Sequence, residues 1–203
     1  LGIGEAMFLE EDVVKNFIGE KGYFSSIFAF EPCHAYRKGK NYKEYLWPQP
    51  FDDWRKETAN NQKMLGDIGF EANIIENHDQ PRGSSLFIPK EDYGFYSVTA
   101  LATIILCQRG LPFLYQGQEI GMCNREWKLE EFNDVETMSQ YEICLKEGLS
   151  PEQALEICAN HSRDNARTPM QWSHEINAGF TGGEPWLPVN ENYKEINVED
   201  QEK

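Results

Sequence analysis

The chain has 203 residues, 40% of them hydrophobic and 26% charged, which is the composition of a folded domain with a core and excludes wholesale disorder. Its formal net charge of -15 repels phosphate backbones and anionic headgroups, so nucleic acid and membrane surfaces are disfavoured as partners and a neutral small molecule fits better. The five cysteines form no C-x-x-C pair and are odd in number, which points to reduced thiols in a cytoplasm rather than to disulfides or zinc.

In chain order, the opening Ile3-Gly-Glu5 reads as the end of an apolar strand, entered so abruptly that the start is expected to be a cut. Val13, Val14, Phe17 and Ile18 recur at helical spacing and Gly19 offers a stop. Residues 26–30 read as a short buried strand and 52–65 as a helix with an acidic first turn. Ala72-Asn-Ile-Ile75 is strand-like and runs into Glu76-Asn-His-Asp-Gln-Pro-Arg-Gly83, where Pro and Gly force a loop. An apolar segment over 93–108 predicts a mostly buried helix, followed by a strand at 111–115. A helix at 134–146 carries Met138, Tyr141 and Leu145 on one face, and Ser150-Pro-Glu-Gln153 is a capping box opening another. After Arg163 the pattern dissolves into long loops, with a tail from residue 192 onward. Strands alternating with helices argue for parallel α/β architecture, either doubly wound or barrel.

Asn77, His78 and Asp79 stand at the carboxyl end of an apolar strand, where β/α enzymes place their chemistry, although an Asx turn leaving the strand is the favoured reading of the tripeptide taken alone. Glu5 ends another apolar stretch, and the interval between them leaves room for two β/α units and a long loop. Glu119 is a third acidic residue just beyond a strand. Carboxylates converging on one rim suit glycosidic bond cleavage, in which one protonates the leaving oxygen and others stabilise an oxocarbenium-like centre. Trp172, Phe180 and Trp186 are candidate sugar platforms near the mouth. No G-x-G-x-x-G follows any strand, which removes the main support for a dinucleotide enzyme.

Three segments together resemble motifs of the α-amylase-type glycoside hydrolases: Ile75-Glu-Asn-His-Asp-Gln-Pro-Arg82, Gly110-Leu-Pro-Phe-Leu-Tyr-Gln-Gly-Gln-Glu119 and Ser162-Arg-Asp-Asn-Ala-Arg-Thr-Pro-Met-Gln-Trp172. The last resembles the branch that includes oligo-1,6-glucosidase, dextran glucosidase, trehalose-6-phosphate hydrolase and sucrose isomerase. The resemblance implies a partial TIM (β/α)8 barrel, about strands five to eight with their helices over residues 1–191, and a tail over 192–203 leading to a β-sandwich domain. It implies retaining hydrolysis of α-glucosidic bonds, α-1,6 or α-1,4, at the non-reducing end of short gluco-oligosaccharides, without a cofactor or a metal in this part of the chain.

By the same resemblance, Glu5 is the general acid/base, and Asp79 with His78 grips the reacting ring. Arg167, with Arg163 in reserve, holds the terminal glucose, while Glu119 and Tyr115 support the eighth strand. The family nucleophile, an aspartate at the end of the fourth strand, has no counterpart from Leu1 onward, so this chain alone is expected to be inactive. Half a barrel also leaves an edge unpaired, so self-association is expected. Trehalose-6-phosphate hydrolysis and sucrose isomerisation share these motifs. A non-catalytic barrel used as an interaction module is the alternative of another class, disfavoured because Glu5, His78, Asp79 and Arg167 are all present.

Overall fold

The computed structural model describes residues 2–203. Strand β1 (Ile3–Gly4) leads into helix α1 (Glu11–Phe17), whose first turn carries Glu11 and Asp12 and whose last carries Lys15, each charge placed to favour the helix dipole. Strand β2 (Ser26–Ile27) follows. The strand expected over 26–30 ends earlier: Phe28 makes a single bridge to Ala72, and Phe30 opens the helical turn α2 (Phe30–Cys33). Pro32 has no N–H to give a strand ladder and is tolerated in a first helical turn, so the chain curls here.

Helix α3 (Phe51–Leu65) buries Trp54, Asn61 and Leu65. Asn61 is accepted inside because its amide nitrogen donates to Glu31 and to Glu71, each at 3.0 Å. Strand β3 (Ala72–Asn73) is shorter than the expected 72–75, since Ile74 and Ile75 are buried without continuing the ladder. Helix α4 (Gly83–Phe87) and helix α5 (Phe95–Cys107) come next. The expectation that this second helix is mostly buried is corrected: only Leu101 and Ile105 are covered, while Phe95 is 76% and Tyr96 86% exposed. One stripe packs on Ile75 and Leu86, and among the described residues nothing covers the other.

Gly110 turns the chain into β4 (Leu111–Pro112) at φ 140°, where a Cβ would stand 2.6 Å from the Glu71 carbonyl, so only glycine fits. Helix α6 (Val135–Lys146) turns Thr137, Gln140 and Cys144 inward, whereas Met138 and Leu145 lie outside. Polar residues take the inner face because they are bonded there, the Tyr42 N–H donating to Gln140 Oε1 at 3.0 Å. Helix α7 (Pro151–His161) starts with the expected capping box of Ser150 and Gln153. The region expected to be loop contains a helical turn, α8 (Asp164–Arg167), and a further turn closes the chain as α9 (Val198–Gln201). From residue 190 onward the chain returns to the segment after β4: Asn190 donates to the Cys123 carbonyl at 3.0 Å and Gln201 to the Ile120 carbonyl at 2.9 Å.

β1 pairs with β2 and β3 with β4, both in parallel, with Ile3 beside Ser26 and Ala72 beside Leu111. The parallel Phe28–Ala72 bridge joins the two pairs, so the four strands lie side by side in chain order, as along the wall of a β/α barrel. Among the described residues no helix is long and apolar enough to cross a membrane.

Candidate active site

Each strand delivers residues to the same cavity just beyond its carboxyl end. Glu5 follows β1, Phe28 and Phe30 follow β2, Ile74 and residues Glu76 to His78 follow β3, and Phe113 to Tyr115 follow β4; together they line a cavity of about 250 Å³. The sequence expected Glu5 and Asp79 to face one shared hollow; Glu5 and His78 line this cavity, and Asp79 does not. The aromatic wall is different from the expected one: it comes from Phe28, Phe30, Phe113 and Tyr115, while Trp172, Phe180 and Trp186 are exposed and do not line the cavity. A signal for these aromatics existed, since all four directly follow short apolar strand cores.

Asp79 stands beside the cavity rather than on its lining. Its N–H donates to Asn77 Oδ1 at 2.8 Å, so the Asx turn foreseen as the plain reading of the tripeptide is present and orients the carboxylate. Three positive or dipolar groups then meet that carboxylate: Arg167 Nη2 at 2.7 Å and Arg163 Nη1 at 3.3 Å on Oδ1, and His78 Nε2 at 3.3 Å from Oδ2. Arg167 is fixed at a second point, its Nε donating to the His78 carbonyl at 2.9 Å. The two arginines read as alternatives in the sequence thus arrive on one carboxylate oxygen. With the Asp79 side chain 45% exposed, the group stays open to a ligand.

Immediately upstream in the motif is an ion pair that sequence reading missed. Glu76 and Arg82 meet at 3.0 Å with both side chains 1% exposed. Arg82 also donates to the Gln116 carbonyl at 2.7 Å and lies over the Tyr115 ring, and the Gly83 N–H donates to the second Glu76 oxygen. A Cβ on Gly83 would stand 2.4 Å from Ile75 Cγ2 and 3.1 Å from Glu76 Oε2, so the approach of this backbone to the carboxylate requires glycine. Burial raises the Glu76 carboxyl above its usual range, against the opposing pull of Arg82 and the Gly83 N–H.

Glu119 accepts from the Gly117 N–H at 2.7 Å and so supports the turn after β4. Tyr115 lines the cavity with its ring while its hydroxyl donates to the Ala166 carbonyl at 3.1 Å. His161 is walled in by Tyr36, Tyr45 and Trp47, and burial drives its pKa down to about 3, so it stays neutral. Among the described residues no group of three or more His, Cys, Asp or Glu side chains converges to hold a metal ion.

A family model described as the catalytic domain of α-amylase matches residues 1–203. An oligo-1,6-glucosidase of Halalkalibacterium halodurans is 39% identical over 198 residues, covering 97% of this chain and 35% of its own length. The trehalose-6-phosphate hydrolase of Escherichia coli is 40% identical over 139 residues, covering 68% of this chain and 25% of its own. A solved trehalulose synthase variant superposes with a TM-score of 0.87 at 35% identity, over 98% of this chain and 36% of the synthase. The chain therefore spans about a third of the length of the curated relatives it matches. With parallel strands in chain order, a cavity at their carboxyl ends and a sequence match along its whole length, this chain belongs to the α-amylase family and lies within its catalytic domain.

Proposed function

We propose that the native polypeptide bearing these residues is a retaining α-glucosidase that removes glucose from the non-reducing end of short α-1,6- or α-1,4-linked oligosaccharides. The observation that carries this reading is the single cavity fed by all four strand ends, with Glu5 and His78 on its wall and the arginine-held Asp79 at its edge. Glu5 is exposed and has room to act as general acid toward the leaving oxygen and then as base toward water. Asp79 and His78 grip ring hydroxyls, and the guanidinium groups of Arg167 and Arg163 keep the Asp79 carboxylate oriented while charge develops on the sugar. The four strands correspond to strands five to eight of the barrel, and the nucleophile is assigned to no residue of this chain.

Five unpaired thiols support a cytoplasmic location, and the uncovered apolar stripe of α5 supports self-association of the isolated chain. Trehalose-6-phosphate hydrolysis and sucrose isomerisation are the readings that the similarity to the E. coli hydrolase and the trehalulose synthase keeps alongside.

The test is turnover of isomaltose, maltose, trehalose 6-phosphate and sucrose by the native polypeptide, with the first-formed anomer read by proton NMR. The expected result is α-glucose released first from isomaltose or maltose, with Glu5→Gln about 10²–10⁴-fold slower. Inversion at the anomeric carbon, or an unimpaired Glu5→Gln, overturns the reading. The 203-residue chain by itself is expected to turn over none of the four.

A further inference from the structure

Arg163 reaches Asp79 with only one of its three guanidinium nitrogens. The other edge is occupied elsewhere: Nε donates to Asp134 Oδ1 at 2.8 Å and Nη2 lies 2.7 Å from the same oxygen. Asp134 is the N-cap of α6, and its second oxygen accepts from the Thr137 N–H at 3.0 Å and from the Thr137 hydroxyl at 2.8 Å. Its side chain is 2% exposed, which removes it from any contact with substrate.

The connection between these two segments runs in both directions. Asp164 Oδ2 accepts from the N–H groups of Asn133 at 2.7 Å and Asp134 at 2.9 Å. Ser162 Oγ accepts from the Asp164 N–H at 3.2 Å and, the Thr137 proton being committed to Asp134, donates its own to the Thr137 hydroxyl oxygen at 2.8 Å. The N-terminus of α6 and the turn carrying Arg163 are therefore one hydrogen-bonded unit, remote in sequence from the strand that carries Asp79.

A guanidinium is planar, so fixing its Nε and Nη2 edge on a buried carboxylate also fixes the direction in which Nη1 points. Without that anchor a long side chain, partly exposed, samples many rotamers, and the pull on Asp79 loses its direction. Arg167 is anchored differently, by the His78 carbonyl, so the two arginines hold Asp79 from independent supports.

We propose that Asp134 is a positioning residue for Asp79, acting through Arg163. The proposal rests on the assignment of Asp79 to the reacting ring. Asp134→Asn and Asp134→Ser are both suitable variants, because asparagine and serine cap helices about as well as aspartate and so keep α6, while both lose the charge that holds Arg163.

In the native polypeptide we expect each variant to lower kcat about 10–100-fold with KM changed less than about threefold, since misdirecting a group in the reacting site by about 1 Å has effects of that size. Arg163→Gln is expected to match them, and the Asp134→Asn/Arg163→Gln double variant to be no slower than Arg163→Gln alone. Ser150→Ala, which removes the cap of the neighbouring α7, is expected to lower the melting temperature by about 2–4 °C with kcat unchanged.

Wild-type kcat in both Asp134 variants, multiplicative losses in the double variant, or a matching loss of kcat in Ser150→Ala would overturn the positioning role. Full turnover by Asp79→Ala would instead remove the assignment of Asp79, and this proposal with it. Loss of turnover in Asp79→Ala beside unimpaired Asp134 variants would sink the proposal alone.

Discussion

Two carboxylates of the same strand-end motif have opposite circumstances. Glu76 is sealed with Arg82 at 1% exposure, one cation per anion, its remaining oxygen taken by a backbone N–H. Asp79 is 45% exposed and is approached by two arginines and a histidine. Both carboxylate oxygens of this pair are already committed, so its effect is felt mainly in folding: removing one partner leaves a charge without solvent or counterion. An open carboxylate surrounded by an excess of cations contributes little to folding, because water screens it, yet it keeps lone pairs to offer a substrate. Position in one motif therefore does not separate a sealed framework pair from an open carboxylate, whereas burial does.

The strongest way to break this comparison is Asp79→Ala in the native polypeptide. Turnover is expected to fall on the order of 10⁴-fold, with the melting temperature within about 2 °C of wild type, as steady-state kinetics and calorimetry would show. Arg82→Met should do the reverse. It is expected to cost about 3–5 kcal/mol in denaturant unfolding, with activity per folded molecule retained; an unchanged unfolding midpoint would mean that the Glu76–Arg82 pair is not a framework element.

A third carboxylate sharpens the comparison further. Glu71 is 3% exposed and among the described residues has no cation beside it, only the Asn61 amide, which it shares with Glu31. Burial, followed by the Glu31 charge, raises its pKa from 4.5 to about 7. A carboxyl that binds its proton more tightly in the folded state adds stability at low pH, and this is lost as pH rises between those two values. Unfolding free energy should thus fall by up to about 3 kcal/mol between pH 4.5 and pH 7.5. Glu71→Gln should flatten that slope, which a series of denaturant melts at fixed pH would measure.

Much of this was legible in one dimension. The spacing of Val14, Phe17 and Ile18, the capping box at Ser150 and the polar cluster after Ile75 are local signals, and each led to an element or a turn that the structure contains. The failures share a different cause. The expected burial of α5 rested on its composition, but burial depends on what else packs there, and Phe95 and Tyr96 stand exposed with their rings edge to face on each other. The inner face of α6 went to Thr137 and Gln140 because Ser162 and Tyr42, far along the chain, join the N-cap Asp134 in supplying their hydrogen bonds. Trp172, Phe180 and Trp186 had the chemistry of sugar platforms without the location.

The sequence by itself determined the longer helices, the parallel α/β class and the identity of the polar residues at the end of β3, because periodicity, capping and turn chemistry act between near neighbours. Tertiary structure alone decided that Arg163 and Arg167 share one oxygen of Asp79, that Asp134 steers the first of them, and that Glu76 is sealed while Asp79 is open. Those outcomes depend on distance and desolvation between segments far apart in the chain, and both quantities come into existence only when the strands and helices have packed.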